Sequence, residues 1–158
     1  MAGRLPLPTD GRVPATPPGR AGTMAEPDVV RIALRFVNEI NRHDVPAILA
    51  RVSDDHVFID GLGHELRGKE RLRDAWTDYF AWFPDYRILI EDHMEAGIVV
   101  GLFGSASGTF SVDGALSPTR RWKIPAAWKA IVRDERVERW QVFADNEPVW
   151  KIMGVKRT

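Results

Sequence analysis

The sequence predicts an α+β domain in which three amphipathic helices pack on a curved antiparallel sheet. Three observations predict it. Up to Pro84 the apolar residues recur with helical spacing. From Tyr86 onward they recur at every second position, so helices come first and the sheet follows. Gly101, Gly104 and Gly108 then interrupt the longest strand, where they permit bulges or bending. A sheet curled around helices makes a cone with an open end, and that end is where a ligand fits.

The first helix carries Val29, Ile32, Ala33, Phe36, Val37 and Ile40 at i, i+3, i+4, i+7, i+8 and i+11, with Pro27 near its first turn. The second is short, capped by Asp44, with Val45, Ile48, Leu49 and Val52 on its buried face. The third follows Gly68, repeats the stripe through Leu72, Ala75, Trp76, Tyr79, Phe80 and Phe83, and ends at Pro84. Between the second and third helices a short strand puts His56, Phe58 and Asp60 on one face, and Gly61 and Gly63 turn the chain after it.

Strands are expected over 86–94, 98–110, 122–132 and 136–144, with a polar loop at 111–120 and a hairpin turn at Asp134–Glu135. In the third of these, Trp122, Ile124, Ala126, Trp128, Ala130 and Val132 face inward, while Arg121, Lys123, Lys129 and Arg133 face out. Asp145 and Asn146 cap a final turn that closes at Gly154. Residues 1–23, with five Pro and four Gly, read as a disordered tail too poor in apolar surface to fold. Residues 24–158 make the domain, and Met24 is a candidate natural start.

Composition excludes several functions. The chain has 158 residues and carries 22 basic against 22 acidic side chains, so it lacks the basic excess that nucleic-acid binders use. Cysteine is absent, which removes disulfides, thiolate nucleophiles and zinc–thiolate sites and suits a cytoplasmic chain. No apolar run is long enough to span a membrane. The four histidines have no metal-ligand spacing, so neither a metal nor a cofactor is expected. Six tryptophans are many for this length, and tryptophan often lines pockets.

Three segments carry a family resemblance: FVNEINRHDVPAILARVSDDHVFID, LRGKERLRDAWTDYFAWFPDYRI and RVERWQVFADNEPVWKIMG. Over Pro27–Gly154 the chain resembles the SnoaL-like proteins of the nuclear-transport-factor-2-like superfold, to which ketosteroid isomerase and limonene epoxide hydrolase also belong. The resemblance implies a cone of three N-terminal helices on a mixed or antiparallel sheet, and a homodimer formed through the exposed sheet face. It places Asp60 where the isomerase has its proton-shuttling carboxylate, and Asp145 where SnoaL-type cyclases have their acid/base. The isomerase's oxyanion donors would fall on Phe36 and on Ala126 or Ala127, which donate nothing from their side chains. The hydrolase's Asp–Arg–Asp trio has no counterpart.

Each candidate has two readings. Asp60 is a pocket base with its pKa raised by an apolar site, or a strand-end acid bonding the Gly61–Gly63 turn. Asp145, with Gln141 and Phe143 at strand spacing, is a second cavity carboxylate, or a cap for the closing turn. His56 pairs with Asp60 along the strand face, and His64 gates the mouth, or each is an ordinary satisfied histidine. Trp76, Phe80, Phe83 and Trp128 line the cavity or fill the core. Tyr79 orients a substrate oxygen. The expectation is a protein for a small apolar molecule. It acts as a cofactor-free acid/base enzyme on a carbonyl or polyketide-like substrate, as a non-catalytic binding or dimerisation module, or as an epoxide hydrolase with a rearranged acid pair.

Overall fold

A computed structural model describes residues 28–155; the expected tail, Met24 and Pro27 lie outside them. Helix α1 (Val29–Asn41) buries Phe36 and Ile40 completely, and the Asp28 carboxylate caps it by accepting from the Arg31 N–H at 3.2 Å. Helix α2 (Val45–Arg51) is capped by Asp44, which accepts from the Ala47 N–H at 3.1 Å. Strand β1 (Val52–Ile59) follows, then β2 (Glu65–Arg67) and helix α3 (Lys69–Trp82). The meander runs β3 (Arg87–Ala96), β4 (Val99–Val112), β5 (Ala115–Arg133) and β6 (Arg136–Ala144), and helix α4 (Glu147–Met153) ends the described chain.

The architecture is α+β with one mixed six-stranded sheet in the order β2-β1-β6-β5-β4-β3. Only β1 and β6 run parallel; every other pair is antiparallel. Three departures from the sequence reading follow. Among the described residues there are four helices rather than three, because the closing turn at 147–153 continues into α4, which ends on Gly154 in the left-handed region, and α3 comes only after two strands. The expected loop at 111–120 is a hairpin: Asp113 and Gly114 both have positive φ, the two-residue turn that matches the twist of flanking strands. Residues 65–67 pair with β1 instead of remaining in the turn.

Two buried-side contacts explain why the α1–α2 junction reads Asn-x-x-Asp. Asn41 mimics a strand partner for Ile88: its Oδ1 accepts the Ile88 N–H at 2.7 Å and its Nδ2 donates to the Ile88 carbonyl at 2.9 Å. Asp44 then caps α2. His43 sits between them with positive φ, donates from Nε2–H to the Tyr86 carbonyl at 2.8 Å, and stacks on Phe80 with centroids 4.1 Å apart.

The ladders carry slips of register. In β3 the pairing jumps between Ile90 and Asp92, leaving Glu91 as an extra residue, and Gly104 lies opposite. A Cβ there would overlap the Leu89 carbonyl, so only glycine fits. In β6 the jump falls between Val137 and Arg139, opposite Val132 and Ile131. Helices α1 and α3 cover one face of the sheet, and the core between them includes Phe36, Trp128 and Trp140.

Candidate functional site

The helices do not fill all the space above the sheet. A cavity of about 650 Å³ remains between α3, α4, the Asp60–Leu62 turn and strands β4 to β6. Helix α3 contributes Trp76 and Tyr79 from the stripe that packs inward, and Trp82, about half exposed, from its edge. Strand β5 contributes Trp122, Ile124, Ala126 and Trp128 at its even positions, the face that the alternation selects. Strand β6 adds Trp140, Val142 and Ala144, and α4 adds Val149, Trp150 and Met153. All six tryptophans and both tyrosines of the chain therefore border one space.

The aromatic wall is self-supporting. Tyr79 lies edge-on to Tyr86 with centroids 4.9 Å apart, Phe83 edge-on to Trp122 at 5.2 Å, and Trp128 stacks on Trp140 at 6.4 Å. Burial pushes both phenols above their ordinary pKa; for Tyr86 the neighbouring Tyr79 adds to this. Both therefore stay protonated at neutral pH and present O–H groups rather than phenolates. The indole N–H groups of Trp122 and Trp128 are sealed in the protein without a partner.

Asp60 borders the mouth of the cavity. Its Oδ1 accepts the Leu62 and His64 N–H groups, both at 2.9 Å, and its Oδ2 meets His64 Nδ1 at 3.1 Å. The carboxylate thus organises the turn and at the same time orients an exposed imidazole. Asp78, at the rim on α3, is the other carboxylate among the described lining residues. No group of three or more His, Asp or Glu stands together in metal-binding geometry among the described residues.

A model of the SnoaL-like domain family matches residues 33–140. The chain belongs to the SnoaL-like family. No curated protein matches it in sequence. Among solved structures, a candidate SnoaL-like polyketide cyclase from Jannaschia sp. CCS1 superposes with TM-score 0.70 at 16% identity, covering 86% of this chain and 100% of that one. IdmH, a candidate polyketide cyclase from Streptomyces antibioticus, gives 0.67 at 21%, covering 81% and 99%. A protein of ketosteroid isomerase-like fold from Catenulispora acidiphila, solved with trimethylamine, gives 0.64 at 17%, covering 84% and 96%. These likenesses establish a shared fold.

Within this SnoaL-like domain the expected site residues separate into two groups. Asp60, Trp76, Tyr79, Phe83 and Trp128 border the cavity. His64 lies just outside, joined to Asp60. The others lie elsewhere. Phe80 is turned onto His43. His56 is buried beneath α1, where Nδ1–H donates to the Val137 carbonyl at 2.8 Å and Nε2 has no partner. It is four residues from Asp60, some 13 Å along a strand, so the two form no pair. Burial lowers its pKa, partly offset by the Val137 bond and Asp55, and so favours the neutral ring.

Phe143 and Asp145 are exposed and do not border the cavity; Asp145, just before the Asn146 cap, accepts the N–H of Glu147, the first residue of α4, at 3.0 Å. The reason is the β6 bulge. Regular pairing from the Asp134–Glu135 turn would point Gln141 and Phe143 inward, but the one extra residue turns Trp140, Val142 and Ala144 inward instead. The adjacent charges Glu138 and Arg139, which break the alternation, are the signal in the sequence. Trp82, Tyr86, Trp122, Trp140 and Trp150 were not among the expected wall residues; only Trp122 already stood on an inward register.

Proposed function

We propose that this SnoaL-like protein binds a small, largely apolar molecule in the cavity. The observation that supports the reading is the concentration of all six tryptophans around a space of about 650 Å³, within the range that holds a ligand. The relatives described as candidate polyketide cyclases make a carbonyl-bearing aromatic the first ligand class to test. For chemistry the acid/base is Asp60, with His64 beside it. Nδ1–H of His64 donates to Oδ2, which leaves Nε2 free to exchange a proton with a substrate held at the mouth. Tyr79 orients the substrate oxygen, and no cofactor takes part. With Asp145 outside the cavity, an epoxide-hydrolase-like acid pair would have to be Asp60 with Asp78.

A second reading, a binding module without chemistry, is favoured by the three hydrogen bonds already held by Asp60. Titration with 2-tetralone, followed by tryptophan fluorescence, tests the cavity; absence of saturable quenching refutes it. Exchange of the 2-tetralone α-protons in D2O then separates the readings. A catalyst accelerates exchange, and Asp60→Asn slows it about 100-fold or more with affinity nearly unchanged. A binding module gives no acceleration in either protein.

We also infer a homodimer through the outer sheet face. Phe103 and Phe143 both pair with Ala127, making an apolar row there, and each is about half exposed, at 42% and 50%. Among the described residues no helix is long and apolar enough to cross a membrane, and a cysteine-free chain suits the cytoplasm, where we place it.

A further inference from the structure

The charge around the cavity is one-sided. Among the described residues that line it, Asp60 and Asp78 are charged, and none is Lys, Arg or His. Asp60 already accepts from His64 Nδ1 and from two backbone N–H groups. Asp78 is exposed at the rim and enters no salt bridge among the described residues.

The remaining wall reinforces that sign. An aromatic ring is negative over its face and positive at its edge, and the indole N–H is the most positive point of a tryptophan edge. In Trp122 and Trp128 that N–H is sealed away, so a ligand meets ring carbon there and no donor. The phenols of Tyr79 and Tyr86 bring an O–H donor and lone pairs but no net positive charge. An anion entering this space would leave water for a site with no cation among its described lining residues and two carboxylates at its entrance. A neutral molecule gains apolar burial alone. A cation also leaves water, but it gains the same burial, the attraction of ring faces and the field of Asp78. The volume far exceeds what a simple ammonium ion needs, so the charge must come with apolar bulk.

We propose that the cavity takes a bulky hydrophobic ammonium ion, a tertiary or quaternary amine on an aryl or polycyclic frame, with its charge toward the Asp78–Trp82 rim. These two residues stand one helical turn apart on α3 and both border the cavity. The assignment rests on the cavity being the ligand site and adds to it the sign of the ligand's charge.

Three probes of similar shape test it: benzyltrimethylammonium, its uncharged carbon isostere neopentylbenzene, and the anion phenylmethanesulfonate. Binding is followed by tryptophan fluorescence and calorimetry on the full chain. The cation binds at least tenfold more tightly than the isostere, and the sulfonate does not bind. In Asp78→Asn, an exposed change that leaves the core untouched, the cation weakens at least threefold while the isostere keeps its affinity. Equal or tighter binding of the isostere, binding of the sulfonate, or an Asp78→Asn effect shared by both ligands overturns the proposal and leaves the cavity reading in place. If all three probes fail while 2-tetralone binds, only the charge assignment falls; if 2-tetralone fails as well, both fall.

Discussion

Replacing Gly104 by alanine should cost far more than the same change at Gly101, three residues earlier on the same strand. At Gly104 the added methyl overlaps the Leu89 carbonyl and comes within 2.9 Å of its carbon and 3.1 Å of Ile90 Cα. All three are backbone atoms of the β3 bulge, so relief requires that strands β3 and β4 separate. At Gly101 the nearest atoms are Phe103 ring carbons at 3.3 and 3.4 Å, and that ring is exposed and free to rotate away. Overpacking against backbone costs about 2–3 kcal/mol, whereas a yielding side chain should hold the cost below about 1 kcal/mol. At roughly 3–4 °C per kcal/mol for a domain of this size, Gly104→Ala lowers Tm by about 6–12 °C and Gly101→Ala by under 4 °C. Paired thermal and urea melts provide the measurement. Equal losses at the two sites, or less than about 0.5 kcal/mol at Gly104, would refute the argument that the bulge leaves no room for a side chain.

Three further outcomes follow from contacts described above. The unfolded chain titrates His56 near its ordinary value of 6.5, while burial makes the folded state bind that proton more weakly. Stability is therefore complete above about pH 6.5 and falls as pH drops from there toward the lowered folded value. His56→Gln keeps a donor for Val137 but cannot charge, so its urea midpoint should lose less between pH 7.5 and 5.5; an identical loss would exclude His56 as the cause. Asn41→Ala removes both hydrogen bonds to Ile88 and should destabilise by about 2 kcal/mol, read from the urea midpoint, with a loss under 0.5 kcal/mol counting against the strand-mimic role. Phe103→Lys places a charge in the outer apolar row and should shift a dimer toward monomer in sedimentation equilibrium without lowering Tm by more than a few degrees; an unchanged mass would remove that face from the interface.

Much of the fold was legible because its main signals are local. The helical stripes of α1 and α3, the Asp44 cap and the inward register of β5 each depend on a few neighbouring side chains. The wall of the cavity was legible only where the register was. Trp76, Tyr79 and Trp128 lie on elements whose period runs unbroken, and they border the space. Phe143 and Asp145 lie beyond a bulge, and one extra residue reverses the face of everything after it. Phe80 shows a different limit: its helical phase points inward, but the partner that claims it is His43, held by a positive φ that no periodicity encodes. For Asp60 the turn-bonding reading is the one its hydrogen bonds show, and the same carboxylate also borders the cavity.

The parallel pairing of β1 with β6 has a consequence for the order in which the molecule can be built. His56 and the Val137 carbonyl it bonds are 81 residues apart. At ribosomal speeds of about 5–20 residues per second, β1 waits roughly 4–16 s before its neighbour in the sheet is synthesised. Until then α1 has no Trp140 to cover Phe36, and β1 can pair only with the three residues of β2. Loop closure over such a separation is slow compared with helix formation, so the step that completes the sheet also commits the whole chain. The last strand therefore acts as a timer: truncations before β6 should leave the newborn chain dependent on holding chaperones, however intact its helices.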